Sequence, residues 1–158
     1  MRFKKTKTKT ENYVRKVEIA FINKDDKNFI DSQSRKLNFL YNKLKEEIEK
    51  DLEVLKVGYF YGVLTEQKEK EILNSIYSPI GLRNRVPELK NKYPFLKTVY
   101  SSPLKNIALR LSDAIKKHQN KQAGWIKFHS WRKEFTSIEY EEKSGWKIVD
   151  QGKALKLS

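Results

Sequence analysis

The chain has 158 residues, of which 38% are hydrophobic, a formal net charge of +14 and no cysteine. That length suits one domain of ordinary size or two small ones. The missing cysteines exclude disulfides and cysteine-based zinc sites and fit a cytoplasmic setting, and no apolar run approaches the ~20 residues a membrane span needs.

The positive charge is not spread evenly. Residues 1–16 carry net +6, residues 17–77 net −2, residues 78–121 net +8 and residues 122–158 net +2. Two basic blocks thus flank a nearly neutral stretch. Localised positive charge without a balancing acidic face suggests a polyanionic partner, because cation–phosphate contacts release condensed counterions.

In chain order, residues 1–12 alternate Lys and Thr and read as a mobile arm. Its Lys4, Lys5, Lys7 and Lys9 suit an RNA or phosphate backbone. Residues 13–22 alternate apolar and polar, the period of a strand. Asn23 to Asp26 supply turn chemistry, with Asp25 or Asp26 as a helix cap. A long helix follows, its stripe formed by Ile30, Leu37, Leu40, Tyr41, Leu44, Ile48 and Leu52. Gly58 and Gly62 bracket an aromatic cluster, Tyr59 to Tyr61. Thr65 caps a second helix, and Ser78-Pro79 with Gly81 reads as a break.

A short helix is predicted from about Leu82 to Lys92, ending before Pro94. Ser102 and Pro103 open a fourth helix, with Leu104, Ile107, Ala108, Leu111, Ala114 and Ile115 buried and Lys105, Ser112 and Lys116 on its polar face. Four short strands are then expected: Gly124–His129, Phe135–Tyr140, Trp146–Val149 and Ala154–Leu157. The fold class is therefore α+β. A small β-barrel or sheet, from the strand near 13–22 plus the strands after 124, would hold an inserted helical bundle over about 25–121. The chain stops at Ser158 directly after a predicted strand, which suggests a fragment or a chain whose continuation is absent.

Three segments in this order resemble one family. They are FLYNKLKEEIEK (Phe39 to Lys50), VPELKNKYPFLKTVYSSPLKNIALRLSDAIKKH (Val86 to His118) and GWIKFHSWRKEFTSIEY (Gly124 to Tyr140). Together they are similar to the N-terminal half of TnpB-type proteins, the transposon-encoded relatives of type V CRISPR effectors. The chain departs from the family with Phe95 in place of a usual Trp and Ile126 in place of a common Pro, and residues 54–80 look like an insertion.

The resemblance implies the nucleic-acid-binding half of an RNA-guided DNA endonuclease. Residues 1–24 with 122–158 would form a wedge-like β-barrel, and 25–121 an inserted recognition subdomain. Such a half contacts guide RNA and target-adjacent double-stranded DNA, while base pairing reads the sequence. The RNase-H-like nuclease domain, with its divalent metals, lies further along family chains, so no enzyme activity and no cofactor are expected here. A missing C-terminal nuclease half or a full-length homologue is a further expected partner.

Candidate contact residues follow. Ser101 and Lys105 lie at the start of the fourth helix, where a helix N-terminus suits phosphate; in the family this helix start lies near the target-adjacent duplex. Arg83, Asn84 and Arg85 form a compact polar cluster, and arginine forks match guanine or phosphate. These five are the expected DNA contacts. Trp131, Arg132 and Lys133, on a turn between predicted strands, suit stacking on RNA. Tyr41 and Asn42 match the family's Tyr-Asn pair, although Tyr41 lies on the apolar stripe and so suits packing. Glu139, Glu141 and Glu142 read as a solvated strand edge rather than a metal pair.

Two other readings remain open. One is a stand-alone, nuclease-free TnpB-derived regulator using the same surface. The other is a protein-interaction domain with a basic face, anchored by Tyr59 to Tyr61.

Overall fold

Asn23 starts the first helix with a reciprocal cap. Its side chain accepts from the Asp26 amide at 2.9 Å, and the Asp26 carboxylate accepts from the Asn23 amide at 3.3 Å. The computed structural model describes residues 23–130, 138–140, 146–150 and 154–157. The cap therefore precedes the expected Asp25 or Asp26, because the asparagine is the residue left in extended geometry. The predicted strand over 13–22 and the arm lysines Lys4, Lys5, Lys7 and Lys9 lie outside the described residues, as do Trp131, Arg132 and Lys133.

Helix α1 spans Lys24–Tyr61, about 57 Å at 1.5 Å per residue. Gly62 ends it at φ 64°. The Gly62 amide donates to the Tyr59 carbonyl and the Val63 amide to the Gly58 carbonyl, so the last turn closes on a left-handed residue. Tyr59 to Tyr61 are thus the end of α1 rather than a separate segment between two glycines.

Helix α2 spans Glu66–Tyr77, capped by Thr65, and helix α3 spans Pro79–Lys92. Ser78 joins them. Its amide closes α2 on the Asn74 carbonyl, and its hydroxyl accepts from the Gly81 amide to open α3. Pro79 occupies the first turn of α3, where a missing N–H costs nothing. The expected break at Gly81 is instead helix. A Cβ there would lie 2.6 Å from the Asn74 carbonyl oxygen, so glycine is required by the close approach of α2.

A 3-10 turn, Pro94–Thr98, leads into helix α4, Ser101–Gln119. Tyr100 holds the cap position, and its side chain does not cap the helix. Ser102, expected as the cap, is buried inside the first turn, and Ser112, expected on the polar face, is also buried. The core draws on all four helices and the 3-10 turn: Leu37, Leu40, Leu44 and Ile48 meet Ile76, Leu82, Leu89, Leu96, Leu104 and Leu111.

Strands β1 (Trp146–Val149) and β2 (Ala154–Leu157) pair antiparallel, with Trp146 opposite Leu157 and Ile148 opposite Leu155. Four helices and this hairpin make an α+β chain. Residues 124–130 join no strand ladder, and the same holds for the described residues 138–140 of the expected Phe135–Tyr140 strand. They lie against helices instead. Among the described residues no helix is long and apolar enough to cross a membrane.

Candidate nucleic-acid interface

Helices α3 and α4 diverge around a groove of about 370 Å³ lined by Ile80, Arg83, Asn84, Val86, Pro87, Lys90, Ser101, Leu104 and Lys105. None of these residues is acidic. Arg83, Pro87 and Lys90 reach it from α3 because steps of four and three keep residues on one helical face. Ser101 and Lys105 reach it from the first turns of α4, one full step of four apart. Val86 and Leu104 close its floor; both are buried. Pro87, inside α3, has no amide to give the Arg83 carbonyl one turn earlier.

Charge follows the same division. α1 carries eight basic and eight acidic side chains, and α2 two basic and three acidic. α3 and α4 each carry four basic and one acidic. On α1, Glu46, Glu49 and Glu53 pair with lysines one turn away, and Glu46 bridges Lys43 at 2.7 Å and Lys50 at 2.8 Å. Hydrogen bonds from those two ammonium groups hold the Glu46 carboxyl down at about 2.

Four of the five expected DNA contacts, Arg83, Asn84, Ser101 and Lys105, therefore share one groove. The fifth does not. Arg85 turns into the bundle, where its guanidinium donates to Asp51 at 2.5 Å and to the Ser75 hydroxyl at 2.7 Å. Glu47 sits 3.9 Å away. Burial pushes the Glu47 carboxyl up from its ordinary value, with Arg85 and Lys92 pulling it back. Arg85 ties α3 to α1 and α2. Lys90, which sequence reasoning missed as a contact, takes its place in the groove; the spacing from Arg83 was the available signal.

A second arrangement was also missed. Residues 128–130 lie along α1, held by one face of that helix. Asn38 donates to the Ser130 carbonyl at 2.8 Å. Asn42 donates to the His129 carbonyl at 2.9 Å and accepts from the His129 amide at 2.8 Å. The Tyr41 ring stacks on the His129 ring at 4.0 Å, and the Lys45 ammonium lies 3.6 Å from the Phe128 ring centroid. Burial raises the Tyr41 hydroxyl and lowers the His129 imidazole. The Tyr41-Asn42 pair is thus a fastening for the chain after α4. Residues 138–140 dock similarly: Glu139 pairs with Arg110 at 2.6 Å, and Tyr140 stacks on Tyr100 at 6.1 Å. Glu139 is accordingly paired with α4 while staying exposed, and Glu141 and Glu142 lie outside the described residues. No cluster of three or more His, Asp or Glu side chains suited to a metal occurs among the described residues.

Comparison with known protein families, curated proteins and solved structures gives no match.

Proposed function

We propose that the chain is a nucleic-acid-binding module whose α3–α4 groove takes the phosphate backbone of a target-adjacent DNA duplex. The observation that carries this reading is the convergence of Arg83, Lys90 and Lys105, with Asn84 and Ser101, on one concavity without an acidic lining residue. Phosphate contacts from Arg, Lys, Ser and Asn position a protein on a duplex, and a guanidinium fork can in addition read a guanine edge. Together with the motif order, this supports the N-terminal wedge-and-recognition half of a TnpB-like, RNA-guided DNA endonuclease, inert by itself and contacting guide RNA as well as DNA.

The hairpin supports the barrel in this reading. Trp146, Ile148, Leu155 and Leu157 share one face by alternation, and Ile148 and Leu155 remain more than half exposed. An apolar sheet face of this kind suits burial against further strands. A stand-alone regulator would use the same groove.

Salt titration tests the reading. Affinity for a mixed-sequence duplex and for a structured RNA should fall steeply and linearly in log salt. Absent or salt-insensitive binding would overturn it. One observation favours the protein-interaction alternative: Phe60 is 82% exposed at the tip of α1, beside Tyr59 and Tyr61. Under that reading a Phe60→Ala variant would lose a partner while binding nucleic acid normally.

A further inference from the structure

On the face of the bundle where α1 meets the 3-10 turn, two aromatic rings gather around Phe95. Phe39 meets Phe95 edge-on at 5.0 Å and Tyr93 edge-on at 4.9 Å; Tyr93 lies tilted to Phe95 at 6.3 Å. Neither neighbour stacks parallel on Phe95, which stays 42% exposed. A core aromatic would be covered, and a solvated one would not be braced by two others.

Cations surround this cluster. The Lys43 ammonium is 5.8 Å from the Phe39 and Tyr93 centroids, and that of Lys92 is 5.7 Å from Tyr93. Lys36 donates to the Thr98 hydroxyl at 2.8 Å, and that hydroxyl donates to the Phe95 carbonyl at 2.7 Å. A cation is thereby fixed at the turn that carries the ring, and Lys97 is exposed on the same turn. Lys43 has Glu46 as its partner, whereas Lys36, Lys92 and Lys97 form no ion pair among the described residues.

An exposed ring braced by two neighbours, with lysines on its turn and against the adjoining rings, is what an unpaired nucleobase needs. The base gains stacking area, and its flanking phosphates find cations. We infer that Phe95 is a stacking platform for one unpaired nucleobase of a single-stranded segment, with Lys36, Lys92 and Lys97 taking the adjacent phosphates. The site is separate from the α3–α4 groove, though it rests on the nucleic-acid reading. A protein partner is the less suited occupant, because the lysines leave no continuous apolar area around the ring.

The test uses fluorescein-labelled oligouridine and oligothymidine of about 15 nucleotides, with a blunt mixed-sequence duplex alongside, against the whole chain and two variants. Phe95→Ala should bind both single strands about tenfold more weakly and the duplex as before. Phe95→Trp should retain single-strand binding and show tryptophan quenching beyond that of the wild type. An equal loss on both strands assigns the site to any nucleobase, and a larger loss on oligouridine assigns it to RNA. Unchanged single-strand affinity in Phe95→Ala, or no added quenching in Phe95→Trp, would overturn the inference while leaving the groove reading intact. A wild type that binds neither strand nor duplex would overturn both.

Discussion

Asn42 holds His129 by both of its backbone polar groups, donating to the carbonyl at 2.9 Å and accepting from the amide at 2.8 Å. One amide side chain on a helix thereby does what a neighbouring strand would do for an extended segment. Asn42→Ala removes both bonds. It should lower stability by about 1–2 kcal/mol in urea unfolding and speed hydrogen exchange at the His129 amide, while exchange in the α2–α3 core stays slow.

The same contact sets a pH dependence. Burial lowers the His129 imidazole below its ordinary value of 6.5, so the unfolded chain takes up that proton more readily than the folded one. Stability should therefore be full above pH 6.5 and decline as the pH falls from there toward the lower folded value. His129→Phe keeps an aromatic ring on Tyr41 and should flatten the stability profile between about pH 7 and 5.5, above the range where carboxylates titrate.

Arg85 acts inside the bundle, bonded to Asp51 and Ser75. Arg85→Ala leaves Asp51 without its cation and should cost about 2–3 kcal/mol of stability, read by denaturant melts. Duplex affinity measured well below the melting point should change little. Arg83→Ala should do the reverse, weakening duplex binding with little change in the melt.

Gly81→Ala places a methyl 2.6 Å from the Asn74 carbonyl oxygen and 2.8 Å from the Ser75 Cα. Both obstacles are backbone, so α2 and α3 must separate. The loss should exceed the ~1 kcal/mol that alanine ordinarily gains over glycine in a helix and leave a net destabilisation of about 1–3 kcal/mol, seen as a lower midpoint at unchanged slope.

The sequence made the helices legible because their stripes are long and regular. Leu37, Leu40, Leu44 and Ile48 keep one face through α1, and Thr65 announces the second helix. The start of α3 was harder to place. Pro79 and Gly81 look like punctuation, whereas one fits a first turn and the other a helix crossing. Period-two alternation in residues 124–130 predicts a strand that does not form, because alternation carries no information about what the backbone bonds to, and here the partners are Asn38 and Asn42. The spacing of Arg83 and Arg85 held a signal that treating them as one polar cluster hides. Two residues on a helix are about 200° apart, so one reaches the groove and the other the core.

The most direct measurement of the central claim is duplex binding across a salt series by the wild type and by a variant combining Arg83→Ala, Lys90→Ala and Lys105→Ala, with circular dichroism to establish that the helices persist. If the groove holds the phosphate backbone, affinity should fall and the log–log salt slope should shrink by about 0.9 for each phosphate contact removed, about 2–3 in all. A folded triple variant with the wild-type affinity and slope would contradict the account.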